Sequence, residues 1–287
     1  MEEIIQKCSF DKWYPILRDD TIRSKIIELP DDFKEFLLFH EFIIEDGKFK
    51  DLEKRVNDAI DELGGVAFPK LNFTAPTDSN WIGFGKSIEV RSFKDLVYVF
   101  KASTRMLIDI TCPFNVQNVE IKPIIVLKKW FNYKVNREFR IFMRDSEHFF
   151  VSSRNISVPY YLTQEEVREG AQTMVNLISQ KIHPYRIIID FYISPKMRPH
   201  VIDIAPWTDV TSPLLYSWSE LELLAQTEVR LTTDLNVQPP EDAAVPSDMA
   251  DGRKLEEIMA SLKEFKDEFN DNVHDKFPDD LKIDDGE

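Results

Sequence analysis

Glycine is scarce in this chain, with eight residues in 287. Neither a GxxxxGKS/T loop nor a GxGxxG turn after a strand occurs, which excludes both common backbone cradles for nucleotide phosphates. Cysteine is rarer still. Cys8 and Cys112 are the whole complement, so no disulfide framework is available and a reducing compartment is expected. The five histidines (His40, His148, His183, His200 and His274) show no metal-ligand spacing, which argues against zinc. No apolar run is long enough to span a bilayer, and Met1-Glu2-Glu3 opens no signal peptide. A cytoplasmic protein with no membrane partner is therefore expected. Positive charge is also in deficit, since 36 Lys and Arg against 51 Asp and Glu leave a net −15. A field of that sign repels phosphate backbones, so no bulk nucleic-acid binding is expected.

What is present is an ordinary globular composition, 43% hydrophobic with 21 Phe. That suffices for one large domain or two intimately packed lobes. The basic residues are unevenly placed: residues 101–160 hold ten Lys and Arg against five acids. A basic interior segment in an acidic protein points to a bound anion smaller than a nucleic acid. The tail, residues 266–287, holds nine acids and three lysines and is expected to be disordered, either solubilising or folding on a basic partner.

The element pattern is mixed. Residues 13–29 read as irregular. A helix over 51–63 stops at Gly64-Gly65, a short strand covers 67–73, and Ser92 with Asp95 starts a helix to Lys101. An apolar strand covers 121–130, and 138–143 with 148–153 reads as a hairpin. Thr163 with Glu166 caps a helix with an apolar face of Val167, Ala171, Val175, Ile178 and Ile182. Ser217 with Glu220 starts a short helix, and a last one covers 252–269. Antiparallel hairpins among helices favour an α+β fold. The expected divisions are an N-terminal lobe at 1–120, a C-terminal lobe at 121–265 and the tail at 266–287.

Two aspartates lie inside consecutive apolar runs, RIIIDFYIS and HVIDIAPW. A hairpin folded symmetrically about Lys196–Met197 places Asp190 directly opposite Asp203. Facing like charges destabilise a sheet, and a buried carboxylate needs a partner. A cation between them satisfies both; Mg²⁺ is the natural one, because it takes carboxylate oxygens and shares its shell with substrate phosphates. A solvated face, or bridges to Arg or Lys, would satisfy them too. With no glycine cradle, phosphates would fall to side chains such as Lys70, Lys101, Lys129 and Arg140. Glu138 and Arg140 share one strand face, suited to a ribose and a phosphate, or equally to a local salt bridge.

The segment Cys8-Ser9-Phe10-x-x-Trp13-Tyr14-Pro15, with Thr21-Ile22 and Leu29-Pro30, resembles the opening of the cell division cycle protein 123 family. So do Phe68-Pro69-Lys70-Leu71-Asn72-Phe73-Thr74-Ala75-Pro76 with Trp81-Ile82, Leu127-Lys128-Lys129-Trp130, Glu138-Phe139-Arg140, Asp190-Phe191, Ile202-Asp203 and Leu214-Leu215-Tyr216-x-Trp218. The motifs occur in order, and the similarity runs from about Cys8 to Phe265. An acidic low-complexity stretch that many members carry is replaced here by the short His40–Lys50 segment.

The resemblance implies an ATP-grasp-like fold, two α+β lobes with Mg²⁺–ATP between them. It implies a monomeric assembly chaperone that binds the gamma subunit of eukaryotic translation initiation factor 2, promotes heterotrimer assembly and so supports translation initiation and the cell cycle. By motif, Lys70, Asn72, Phe73 and Ala75 would line the nucleotide pocket. Lys128, Lys129 and Trp130 would form the connection contacting adenine, Glu138 and Arg140 would reach ribose and phosphates, and Asp190 and Asp203 would hold magnesium. One position departs from the pattern. The family places a metal-ligand asparagine two residues after the second aspartate, where this chain has Ala205. A methyl group cannot ligate Mg²⁺, so weakened metal binding is expected, with water filling the position. Three functions compete on these grounds: an ATP-binding chaperone without turnover, an active ATP-grasp carboxylate ligase, and a protein-interaction module that has lost its nucleotide. Phosphoryl transfer needs metal to neutralise the moving charge, so Ala205 favours the chaperone over the ligase.

Overall fold

Strand alternation sorts the apolar side chains onto opposite faces of two sheets. Each sheet packs one face against long helices and carries its polar side chains on part of the other. The structure, a computed structural model, describes residues 1–39, 47–81, 87–116, 119–131, 134–182 and 186–237, which belong to one compact unit, Met1–Glu241. The expected helix at 252–269, the acidic tail, Ile82 and most of the His40–Lys50 segment lie outside the described residues.

The first sheet has the order β1 (Ser24–Glu28), β3 (Ile124–Lys129), β2 (Ala67–Lys70), antiparallel throughout. Its central strand thus comes from beyond residue 120. Ile125 and Leu127 of β3 pack against helices α3 (Asp31–Leu38), α4 (Lys50–Glu62), α5 (Phe93–Lys101) and α6 (Thr104–Thr111), around Phe33, Val56, Leu96 and Phe100. α4 ends where Gly64 and Gly65 take φ of +102° and +83°, the left-handed region that glycine enters without a Cβ clash. At α5, Ser92 accepts from the Asp95 amide as expected, but the Asp95 carboxylate turns to the Arg91 amide.

The second sheet has the order β7 (Pro199–Pro206), β6 (Ile187–Ile193), β4 (Glu138–Met143), β5 (Phe149–Ser153), β8 (Glu228–Arg230). α7 (Gln164–Lys181) opens with the expected Thr163–Glu166 capping box. Its Val167, Ala171, Val175 and Ile178 pack on Phe139, Ile141, Ile189 and Phe191. A Cβ on Gly170 would sit 2.9 Å from Ile193 Cδ1, so glycine there lets α7 approach the sheet closely. The opposite face carries Phe142, Phe150 and Ile188 against Tyr216 and Leu221, the latter on α8 (Trp218–Leu223), which starts at the expected Ser217–Glu220 box.

The N-terminal region is more regular than its sequence suggests. β1 lies within the stretch expected to be irregular at 13–29, and α1 (Glu2–Cys8) and the single turn α2 (Phe10–Trp13) precede it. One- and two-turn helices are too short to display a helical period. Their Ile5, Phe10, Trp13 and Tyr14 join the core that also holds Val126 and Ile204.

The aspartate hairpin reaches its predicted pairing by a different route. Ile193 pairs with Pro199 and Phe191 with Val201, which centres the turn on Lys196; between Asp190 and Phe191 the register shifts, and Asp190 then pairs with Asp203. Ile202 is the extra residue of a β-bulge. Because side chains alternate, that one residue moves Asp203 from the α7 face to the face of Asp190.

Candidate nucleotide and metal site

The polar faces of the two sheets meet. From the first come Lys70 and Lys128, with Phe68 stacked on Trp130 at 6.3 Å between ring centroids. From the second come Glu138, Arg140, Asp190, Tyr192 and Asp203. Lys70 is 1% and Lys128 4% exposed, burial that an ammonium tolerates only with partners. Lys70 Nζ is ion-paired with Asp203 Oδ2, and Lys128 Nζ donates to the carbonyl of the bulged Ile202.

Arg140 grips Asp190 with two bonds, Nε to Oδ1 at 2.7 Å and Nη2 to Oδ2 at 2.8 Å, while its Nη1 donates to the Ser212 carbonyl at 2.9 Å. Arg154 adds a third bond to Asp190 Oδ2 at 3.2 Å. Burial pushes the Asp190 carboxyl up, but Arg140 and Arg154 outweigh it and hold the group at about 2. Burial pulls the Lys128 ammonium down to about 8, with Lys70 repelling it and Asp203, Glu138 and Asp190 pulling the other way. Burial raises Glu138, helped by Asp190 and opposed by Arg154, Arg140 and Lys128.

The structure therefore brings together Lys70, Lys128, Glu138, Arg140, Asp190 and Asp203. Asn72 lies beside them with its polar atoms engaged: Nδ2 donates to Ser9 Oγ and the Lys122 carbonyl, and Oδ1 accepts from the Ile124 amide, each at 3.0 Å. The Phe73 ring is buried against Phe114. Ala75 is partly exposed two residues further along the same loop. Lys129 is exposed and, one residue from Lys128 on the same strand, faces the other side of the sheet. Lys101 lies elsewhere, donating to the Phe36 and Phe39 carbonyls at the end of α3.

Two members escaped the sequence reading. Arg154 follows β5, and its amide bonds the Glu138 carbonyl; the hairpin register alone would have placed it beside Glu138. Asp109, 8% exposed on α6, accepts from the Phe73 amide, the Thr74 amide and Thr74 Oγ1 through one oxygen. It pins the loop that follows Lys70. The signal was a lone carboxylate on the buried side of an amphipathic helix.

The donor set fits a polyanion well. Four cations, Lys70, Lys128, Arg140 and Arg154, face three acids. For a metal the fit is narrower. No group of three or more His, Cys, Asp or Glu side chains able to hold an ion occurs among the described residues. Ala205 shares the Asp203 face but packs with Trp207 and Trp218 against Phe142 and Tyr216. Asp203 has one cation to exchange, Lys70, whereas Asp190 is held by two arginines.

Two sheets with facing polar sides, one carrying buried lysines and the other an Arg–Asp pair, define an α+β protein with a cation-rich polar centre. The family model described as D123 matches residues 44–253. The chain belongs to the D123 family. It is 28% identical over 264 residues to the translation initiation factor eIF2 assembly protein of Xenopus laevis, covering 77% of this chain and 78% of that one. The protein of the same name from Kluyveromyces lactis is 27% identical over 334 residues, covering 90% of each. Among solved structures, C-terminally truncated Cdc123 from Schizosaccharomyces pombe superposes with a TM-score of 0.71 at 25% identity, covering 80% of this chain and 97% of that one. These matches agree with the family and α+β class expected from the sequence.

Proposed function

We propose that this chain is an assembly chaperone for eukaryotic translation initiation factor 2 that holds ATP between its two lobes. The observation that carries the nucleotide reading is the convergence of buried Lys70, Lys128 and Arg140, from two facing sheets, around Asp190 and Asp203. The names of the Xenopus and Kluyveromyces relatives supply the assembly role.

In this reading Lys70, Lys128 and Arg140 hold the phosphates, Glu138 meets the ribose, and Phe68 and Trp130 offer flat apolar area to the base. Asn72, Phe73 and Ala75 belong to the loop beside them, and Lys129 lies on the opposite side of the sheet. Asp203 and Asp190 would hold Mg²⁺, with Lys70 turned from Asp203 to the nucleotide and water standing where Ala205 offers nothing. When bound, the metal would supply charge neutralisation of the phosphates. ATP then stabilises the closed two-lobe form by mass action, and the gamma subunit of the initiation factor is the partner. The proposed location is the cytoplasm, and the proposed state a monomer. No helix among the described residues is long and apolar enough to cross a membrane.

The test has two arms. Isothermal titration should show ATP binding, tighter with Mg²⁺, with no release of ADP in a steady-state assay. Pull-down with separate alpha, beta and gamma subunits should retain gamma alone. Sustained ADP release would favour the carboxylate ligase, and gamma capture without ATP binding would favour a pure interaction module.

A further inference from the structure

The N-terminal motif around Phe10 lies before the matched stretch at 44–253 and none of the nucleotide assignments uses it. Its central ring nevertheless lies directly under the two buried ammoniums. Lys70 Nζ is 5.3 Å and Lys128 Nζ 5.2 Å from the Phe10 ring centroid, both within reach of the ring's negative face. Phe10 itself is completely buried.

The two lysines present a physical problem that this ring addresses. Lys70 pairs with Val126 and Phe68 with Lys128 on adjacent strands, so the lysines share a face as diagonal neighbours and repel. Burial withholds the water that would screen them. One aromatic face attracts both charges and occupies the volume between them and the core. The ring is also locked. It stacks on Tyr14 at 4.9 Å and 19°, and meets the Trp13 edge at 4.6 Å. The Phe10 amide donates to the Asn72 carbonyl two residues after Lys70, and Tyr14 OH bonds both the amide and the carbonyl of Ser24, the β1 partner of Lys128. The aromatic stack is thereby tied to the neighbourhoods of both lysines.

We infer that Phe10 is a positioning residue of the nucleotide site, a cation–π seat that sets Lys70 and Lys128 side by side for the phosphates. This rests on the ATP reading above. The N-terminal segment is then a third wall of the site, although it makes no polar contact with the ligand.

The test replaces Phe10 in the full chain with 4-fluoro-, 3,5-difluoro- and 3,4,5-trifluorophenylalanine, which drain the ring's negative face while keeping its shape. Binding of ATP and of inorganic triphosphate is read by calorimetry, and stability by thermal melting. The expected result is a stepwise loss of affinity with each fluorine, roughly tenfold across the series for both ligands, at a nearly constant Tm. Phe10→Leu should lie at the weak end of the same trend. Wild-type protein that binds ATP, with affinity flat across the fluorinated series, would overturn the seat and leave the ATP reading intact. Wild-type protein that binds neither ligand would overturn both. Affinity that falls only in step with Tm would assign Phe10 to the core alone and also overturn the seat.

Discussion

If Lys128 is a phosphate ligand, raising the pH from 7.5 to 9 should weaken ATP binding roughly eightfold. The ammonium is buried and titrates at about 8 in the free protein, whereas a bound phosphate would return it toward the ordinary lysine range. At pH 8 about half of the free protein lacks this proton, so each ATP bound should draw in roughly half a proton. The charged groups around Lys128 are Asp203, Lys70, Glu138 and Asp190, and Asp190, at about 2, is constant over this range. The secondary ionisation of a phosphate, near pKa ~6, lies below the window. Calorimetry in two buffers of different ionisation enthalpy reads the proton count directly. Stability should move the other way. A lysine whose folded pKa is depressed from 10.5 to about 8 opposes folding below pH 8, and that penalty, about 3 kcal/mol, is relieved as pH rises toward 10.5. The ligand-free protein should therefore grow more stable while its ATP affinity falls. Lys128→Met should bind ATP weakly and without pH dependence. Affinity and proton uptake that stay flat from pH 7.5 to 9, in protein that binds ATP, would refute the assignment.

Three other substitutions separate parts of the site. Asp203→Ala should abolish the Mg²⁺-dependent gain in ATP affinity while leaving Mg²⁺-free affinity equal or higher, because Lys70 loses its competing carboxylate; an unchanged response to Mg²⁺ in a calorimetric titration would remove Asp203 from the metal site. Ala205→Asn should tighten Mg²⁺–ATP but lower the ligand-free Tm, since the amide enters the aromatic cluster of Phe142, Tyr216, Trp207 and Trp218 at a cost of about 1–3 kcal/mol; no gain in Mg²⁺ affinity would count against the missing-ligand idea. Asp109→Ala removes the acceptor of three bonds from Phe73 and Thr74 and should cost about 3 kcal/mol in urea unfolding. A change within a few tenths would show that the loop after Lys70 holds itself.

Much of this architecture was legible in residue order. Capping boxes at Thr163 and Ser217, the Gly64-Gly65 stop and the Glu138–Met143 hairpin are local signals, and all appear where the pattern puts them. The aspartate pairing was legible for an incomplete reason: the turn is one residue out from the symmetric fold and the bulge restores it. What local pattern cannot carry is partnership across distance. The partners of the two aspartates, Lys70 for Asp203 and Arg140 with Arg154 for Asp190, come from separate strands. A bridge to Arg or Lys was one of the readings the carboxylates allowed, and it is the arrangement found. Lys101 shows the reverse error, a basic residue in a basic segment whose charge serves the end of α3. The seat at Phe10 was visible as a motif but mute as chemistry, because an aromatic ring acquires an electrostatic role only from what lies over its face.

The bulge at Ile202 makes the hairpin a parity device. Substitutions along β7 alter a side chain, but gain of one residue between Pro199 and Ile202 would exchange the identities of the two faces beyond it, whereas loss of Ile202 would only straighten the strand. With that added residue Asp203 would turn toward Phe139, Ile189 and the α7 helix, while Ile202 would take its place before Lys70. The distance from turn to carboxylate is thus counted in whole residues, and at this edge of the sheet the chain should accept changes of composition, or loss of the bulged residue, far more readily than an insertion.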